Sequence, residues 1–167
     1  MGSFVATGRS MDLVYIETSI ISHATARPSK DPLISVLQSQ ARDWWSLERP
    51  KFEVVTSQLV LDEAALGDPS AAQVRLAALA GIELIPTDSK VEAIADELIA
   101  RSLMPSKARL DALHVATAAV AGVQFLLTQN CRHIANAHML PRVYKTLADL
   151  GYSKLLIYTP AEFLGNP

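Results

Sequence analysis

Leu13-Val14-Tyr15-Ile16 is an unbroken apolar run, and a strand without polar alternation has no face to give to water. Such a run suits a strand buried on both sides, as in a parallel sheet covered by helices. Further short runs recur along the chain: Glu53–Thr56 (EVVT), Ile82–Ile85 (IELI), Gln124–Thr128 (QFLLT) and Leu155–Tyr158 (LLIY). Segments of helical character separate them. Alternation of this kind predicts an α/β domain with a parallel sheet, right-handed crossovers and helices on both faces. In such sheets the functional site lies at the carboxyl ends of the strands, where strand order reverses. The first candidates are therefore Glu17, Thr18 and Ser19 past strand one, Ser57 to Glu63 past strand two, and Thr128, Gln129 and Asn130 past strand four.

The helical segments carry their own punctuation. Thr18 and Ser19 can cap the helix after strand one. Pro32 suits a first helical turn, after which Leu33, Val36, Leu37, Ala41, Trp44 and Trp45 recur at helical spacing. One tryptophan is expected in the core and the other at an interface. Ser57 opens a helix that Gly67 stops. Asp68-Pro69 opens the next, to about Ala80, before a break at Gly81. Asp88 caps a helix over about Ser89 to Leu103. Pro105 and Ser106 lead into a nearly all-apolar helix from Leu110 to Ala121, ended by Gly122. Two short helices are expected around 131–136 and 139–149, and Thr159 to Phe163 starts a final turn.

Length and charge narrow the function classes. The 167 residues fit one domain over 11–167, with residues 1–10 (MGSFVATGRS) read as a flexible leader that lacks a signal peptide's apolar core. A chain of this size buries roughly 70% of its unfolded surface, so the fold needs neither metal nor disulfide. Half of the residues are hydrophobic, which favours a partner or an oligomer. A net charge of −2 and the lack of a Lys/Arg block argue against gripping duplex DNA by its phosphates alone, but not against brief contact with a nucleic acid through a metal. Cys131 is the only cysteine, so there is no internal disulfide or Cys-rich zinc site, and a reducing cytoplasm is the simplest home. No apolar run approaches the ~18 residues of a membrane span. P-loop, GxGxxG, GxSxG and HExxH patterns are absent.

Three acids stand out against apolar surroundings. Glu17 leaves the apolar strand directly, where an unpaired buried carboxylate costs several kcal/mol; the ordinary alternative is a strand-end acid turned to water. Glu63 lies beside Val60 at i+3 on a helix packed against the sheet, while Asp62 is the solvated neighbour. Asp111 is the only acid between Ala108 and Gln124, so it needs a cation, a metal or a proton. The helix dipole alone offers only about 0.3–1 kcal/mol. His114, one turn later, suits a metal ligand or a general base, but such a histidine is more often a satisfied core residue donating to a carbonyl. Asn130 can hold a water or backbone groups. Arg132 and His133 can meet phosphate or simply lie exposed. Cys131 reads as buried packing.

VYIETSIIS, SQLVLDEAALGDP, RLDALHVATAAVAG and QFLLTQNCRHIANA together resemble the PIN-domain family, and in particular VapC-like toxin ribonucleases. The resemblance spans about residues 12–163. It implies a three-layer α/β/α sandwich with a central, mostly parallel sheet. It also implies a Mg²⁺ or Mn²⁺ site on Glu17, Glu63 and Asp111, with Asn130 completing the catalytic group and Thr18, Ser19, Arg132 and His133 toward substrate. The function it implies is cleavage of single-stranded RNA, with a homodimer and a cognate antitoxin as partners. Two positions depart from the family pattern. Glu17 stands where the family usually has aspartate, and its longer arm shifts an ion that demands near-octahedral geometry. Asn130 stands where many relatives have a fourth acid. A catalytically weak or silent module that binds RNA or a partner protein is the alternative. A Mg²⁺-dependent phosphatase would usually carry Asp-x-Asp after strand one, where this chain has Glu-Thr-Ser.

Overall fold

The computed structural model describes residues 10–86 and 88–165. Its core is a five-stranded sheet in the order β3-β2-β1-β4-β5, parallel throughout. The strands are β1 (Leu13–Ile16), β2 (Glu53–Thr56), β3 (Glu83–Leu84), β4 (Phe125–Leu127) and β5 (Leu156–Tyr158). The apolar run of β1 takes the central place, and all four of its side chains are buried. It pairs Val14 with Val54 on one side and with Phe125 on the other. The edge strand β3 is two residues long and exposed, shorter than the expected Ile82–Ile85.

Eight α-helices connect the strands among the described residues: α1 (Thr18–Thr25), α2 (Pro32–Asp43), α3 (Gln58–Ala64), α4 (Pro69–Leu79), α5 (Lys90–Ala100), α6 (Arg109–Ala121), α7 (Leu140–Asp149) and α8 (Pro160–Leu164). The chain first walks from β1 out to β3, then returns across the sheet to β4 and β5. Right-handed crossovers put the helices of the outward walk on one face and those of the return on the other. The expected three-layer α/β/α sandwich is therefore the observed one. In keeping with this, α1 packs on α2, α3 and α4, while α5 lies along α6. Strand order reverses between β1 and β4, so the crevice past their carboxyl ends is the switch point.

Caps follow the sequence closely at several ends. Asp31, Ser57 and Asp68 accept backbone N–H bonds at the starts of α2, α3 and α4, and Gly122 ends α6 at φ 69°. On α2 the buried residues are Gln38 and Ala41, followed by Trp44, while Leu33 and Val36 face solvent. Trp44 belongs to the core beside Phe52 and Phe163, and the half-buried Trp45 carries the Arg49 guanidinium over its ring. Three local expectations are corrected. Residues 131–136 form turns rather than a helix, because Asn130 Oδ1 accepts from His133 N and sets a side-chain turn there. α5 ends at Ala100, where the chain turns through Ser102 at φ 57°. Cys131 is exposed on that same 131–136 turn, not packed in the core. The proposed leader, residues 1–10, lies outside the described residues except for Ser10.

Candidate active site

Glu17 occupies the first position after β1, its backbone extended and its amide bonded to Leu127 O of the neighbouring strand. The chain then turns into α1, and the carboxyl group is left at the switch point with only 4% of the residue exposed. Oε1 accepts from Thr128 Oγ1 at 2.8 Å and from Ser19 Oγ. Ser19 Oγ also accepts from Gln129 N, and Thr128 Oγ1 from Asn130 N. The turn after β4 is thereby stitched to the turn after β1. Burial pushes the Glu17 carboxyl above the ordinary carboxylate range, against the pull of His114 and of its hydroxyl and amide donors.

Glu63 reaches the same edge from the last turn of α3. Its Oε1 accepts from Thr18 Oγ1 at 2.8 Å and from His114 Nε2 at 2.5 Å. Partial burial alone would raise this carboxyl, but the hydrogen bonds from His114 and Thr18 hold it below its ordinary value. Thr18 and Ser19 were expected to cap α1. They sit inside its first turn instead and spend their hydroxyls on the two glutamates.

Asp111 lies in the first turn of α6, half-buried, and its Oδ2 accepts from His133 Nδ1 at 2.8 Å. His133 is held in turn by Asn130. The three acids thus belong to one circuit. Hydrogen bonds run from Glu17 through Thr128, Asn130 and His133 to Asp111, the α6 backbone leads one turn on to His114, and hydrogen bonds lead through Glu63 to Thr18, the chain neighbour of Glu17.

His114 is buried and satisfied, as the core reading expected, but its partners are the Glu63 carboxylate and the Tyr15 hydroxyl rather than a carbonyl. Arg132 is exposed. Tyr15 escaped the sequence reading because it counted as one more apolar residue of β1. Ser57 and Thr128 were legible only as positions past strand ends.

The donor chemistry suits a hard divalent cation. Three carboxylates line the edge, and among the described residues their only cation-capable partners are two histidines. Glu17 in particular is a buried acid held by neutral hydroxyls, so it needs either a proton or a positive ion. The side chains are not closed around one point: among the described residues no group of three ligating side chains stands ready to hold a metal. His133 engages Asp111 and His114 engages Glu63, so a shared ion would compete with those bonds.

A family model described as the PIN domain matches residues 14–138. The chain belongs to the PIN-domain family. No curated protein and no solved structure matches it significantly. PIN domains are generally nucleases and often use divalent metal ions, and the match covers all three acids as well as Asn130 and His133. No helix among the described residues of this PIN domain is long and apolar enough to cross a membrane.

Proposed function

We propose that this PIN domain is a metal-dependent endoribonuclease for single-stranded RNA, acting as the VapC-like toxin of a toxin–antitoxin pair. The observation that supports this most is the set of hydrogen bonds and short chain links that connects Glu17, Glu63 and Asp111 past the strand ends, with an excess of negative charge. In this reading Glu17, Glu63 and Asp111 hold Mg²⁺ or Mn²⁺. Bound there, such an ion would supply Lewis-acid chemistry to a phosphate and to an attacking water.

The chain's own residues prepare that site. Thr128 and Ser19 fix the arm of Glu17, and Thr18 and His114 orient Glu63. His133 holds Asp111 until it is needed, and Asn130 braces the His133 turn through Oδ1. Arg132, exposed beside His133, meets a flanking phosphate, and single-stranded RNA is flexible enough to bring one there. A homodimer, a cognate antitoxin and a cytoplasmic setting complete the reading.

The second reading, a weak or silent module that binds RNA or a partner protein, draws on Glu17 in place of aspartate and on the unclosed ligand set. A cleavage assay decides between them. A labelled single-stranded RNA should be cut in Mn²⁺ and spared in EDTA. Asp111→Asn should lose at least about a hundredfold in rate, as expected when a metal ligand is lost, while keeping its circular dichroism spectrum. Full cleavage by purified Asp111→Asn, or none by the wild type across a panel of RNAs in Mn²⁺, overturns the nuclease reading.

A further inference from the structure

We propose that Tyr15 and His114 are positioning residues, which hold the Glu63 carboxylate in its working orientation through a one-way chain of hydrogen bonds. This rests on the nuclease reading of the site and adds to it a device inside the core.

Ser57 Oγ lies 2.8 Å from Tyr15 Oη, Tyr15 Oη lies 2.8 Å from His114 Nδ1, and His114 Nε2 lies 2.5 Å from Glu63 Oε1. Ser57, Tyr15 and His114 are all buried, His114 at 1% exposure. Chemistry sets the direction of the chain. An ionised carboxylate can only accept, so Nε2 carries a proton. In a neutral ring Nδ1 is then an acceptor, and the Tyr15 hydroxyl donates to it. The Tyr15 oxygen in turn accepts from the Ser57 hydroxyl, whose oxygen accepts from Val60 N at the start of α3. Every group has a partner.

The placement also argues for a role beyond packing. Tyr15 sits on β1 two residues before Glu17. His114 sits on α6 one turn after Asp111. Ser57 and Glu63 lie at opposite ends of α3. The chain therefore ties together the three elements that carry the three acids. It also ends on a half-buried carboxylate at the edge of the sheet, not on a backbone group. A purely structural triad has no reason to end there, since apolar side chains of similar volume fill a core as well.

Tyr15→Phe keeps the ring and removes one link, so it tests the proposal with little risk to folding. Nitrogen-15 NMR of the metal-free protein should show His114 as a single tautomer with the proton on Nε2, and a tautomer mixture in Tyr15→Phe. Titration calorimetry with Mn²⁺ alone should show affinity reduced by about 10–100-fold in the variant, the usual effect of losing a ligand's support. In RNA cleavage the same variant should lose kcat with KM unchanged. His114→Gln, whose amide can still donate to Glu63, should retain more Mn²⁺ affinity than His114→Ala. A proton on Nδ1 in the wild type, or Tyr15→Phe with wild-type Mn²⁺ affinity and kcat, overturns the proposal. If the wild type cuts no RNA, the nuclease reading fails on its own, while the tautomer and the Mn²⁺ titration still decide what Tyr15 and His114 do.

Discussion

Glu17 makes opposite demands on chemistry and on stability. The resemblance read from sequence implies an aspartate there, which makes the longer arm look like a handicap. The structure gives that arm a purpose, because Thr128 and Ser19 both bind Oε1. Glu17→Asp withdraws the carboxyl by about one bond and breaks the 2.8 Å link to Thr128. Cleavage should therefore fall in Glu17→Asp; a rate above wild type in the Mn²⁺ assay would show that Thr128 anchors Glu17 to no useful end. The same burial has a signature in pH. The folded chain holds the Glu17 proton more tightly than the unfolded chain, since burial raises its pKa. This contribution to stability is complete below the ordinary carboxylate range and is lost as pH rises through the raised value. Glu63 is lowered instead, so its contribution is present at neutral pH and is lost on acidification. Comparing wild type with Glu17→Gln isolates the first effect. In metal-free buffer the Gln variant should gain on wild type as pH rises from the ordinary carboxylate range through neutrality, by up to about 1.4 kcal/mol per pH unit for one proton. Denaturant melts across that range measure it, and a difference that stays constant would mean that Glu17 titrates alike in both states.

Caps on neighbouring helices do different work. Asp68 accepts from Ala71 N at 2.8 Å and starts α4, which carries none of the three acids. Ser57 makes a long 3.4 Å bond to Val60 N and starts α3, which carries Glu63. Asp68→Ala should cost about 0.5–2 kcal/mol of stability and leave cleavage near wild type. Ser57→Ala should cost less stability but more activity, because it also removes the donor to Tyr15. Paired melts and rate measurements check this, and the same ranking in both would show that the two caps are equivalent. What the sequence reveals divides along the same lines. Caps and apolar runs are local, so β1, β2, the starts of α2 to α4 and the end of α6 were legible. The expected helix over 131–136 failed because the Asn130 side chain offers the backbone a competing partner, a choice that apolar periodicity does not register. β3 came out short because an edge strand receives pairing from one side only. The position of Glu17 was legible because topology puts strand ends at the crevice, and that of Asp111 because it is the lone acid of an apolar helix. The contact between Tyr15 and His114 joins residues 99 positions apart, and nothing in either local segment announces it.

At the scale of the whole molecule, the sheet brings together acids that the chain keeps far apart, and the charge of Glu63 works against that of Glu17. Glu63 adds to the forces that keep a proton on Glu17, and the described partners of the three acids include no lysine or arginine. A divalent ion bound at this edge would relieve that conflict only in the folded state, since the unfolded chain has no such site. Binding of this kind stabilises by RT ln(1 + [L]/Kd). At a hundredfold excess over Kd that amounts to about 2.7 kcal/mol, or a rise in Tm of about 5–11 °C for a domain of this size. Mn²⁺ should therefore raise the melting temperature of the wild type, and EDTA should reverse the rise. Asp111→Asn should show a smaller rise. Glu17→Gln should melt higher than wild type without metal yet gain less from Mn²⁺, because it has lost both the trapped charge and the ligand. That crossing separates an ion at the three acids from one at the exposed carboxylates elsewhere, which would raise all three proteins equally. Equal rises would mean that the crowding of the acids is relieved by protons alone.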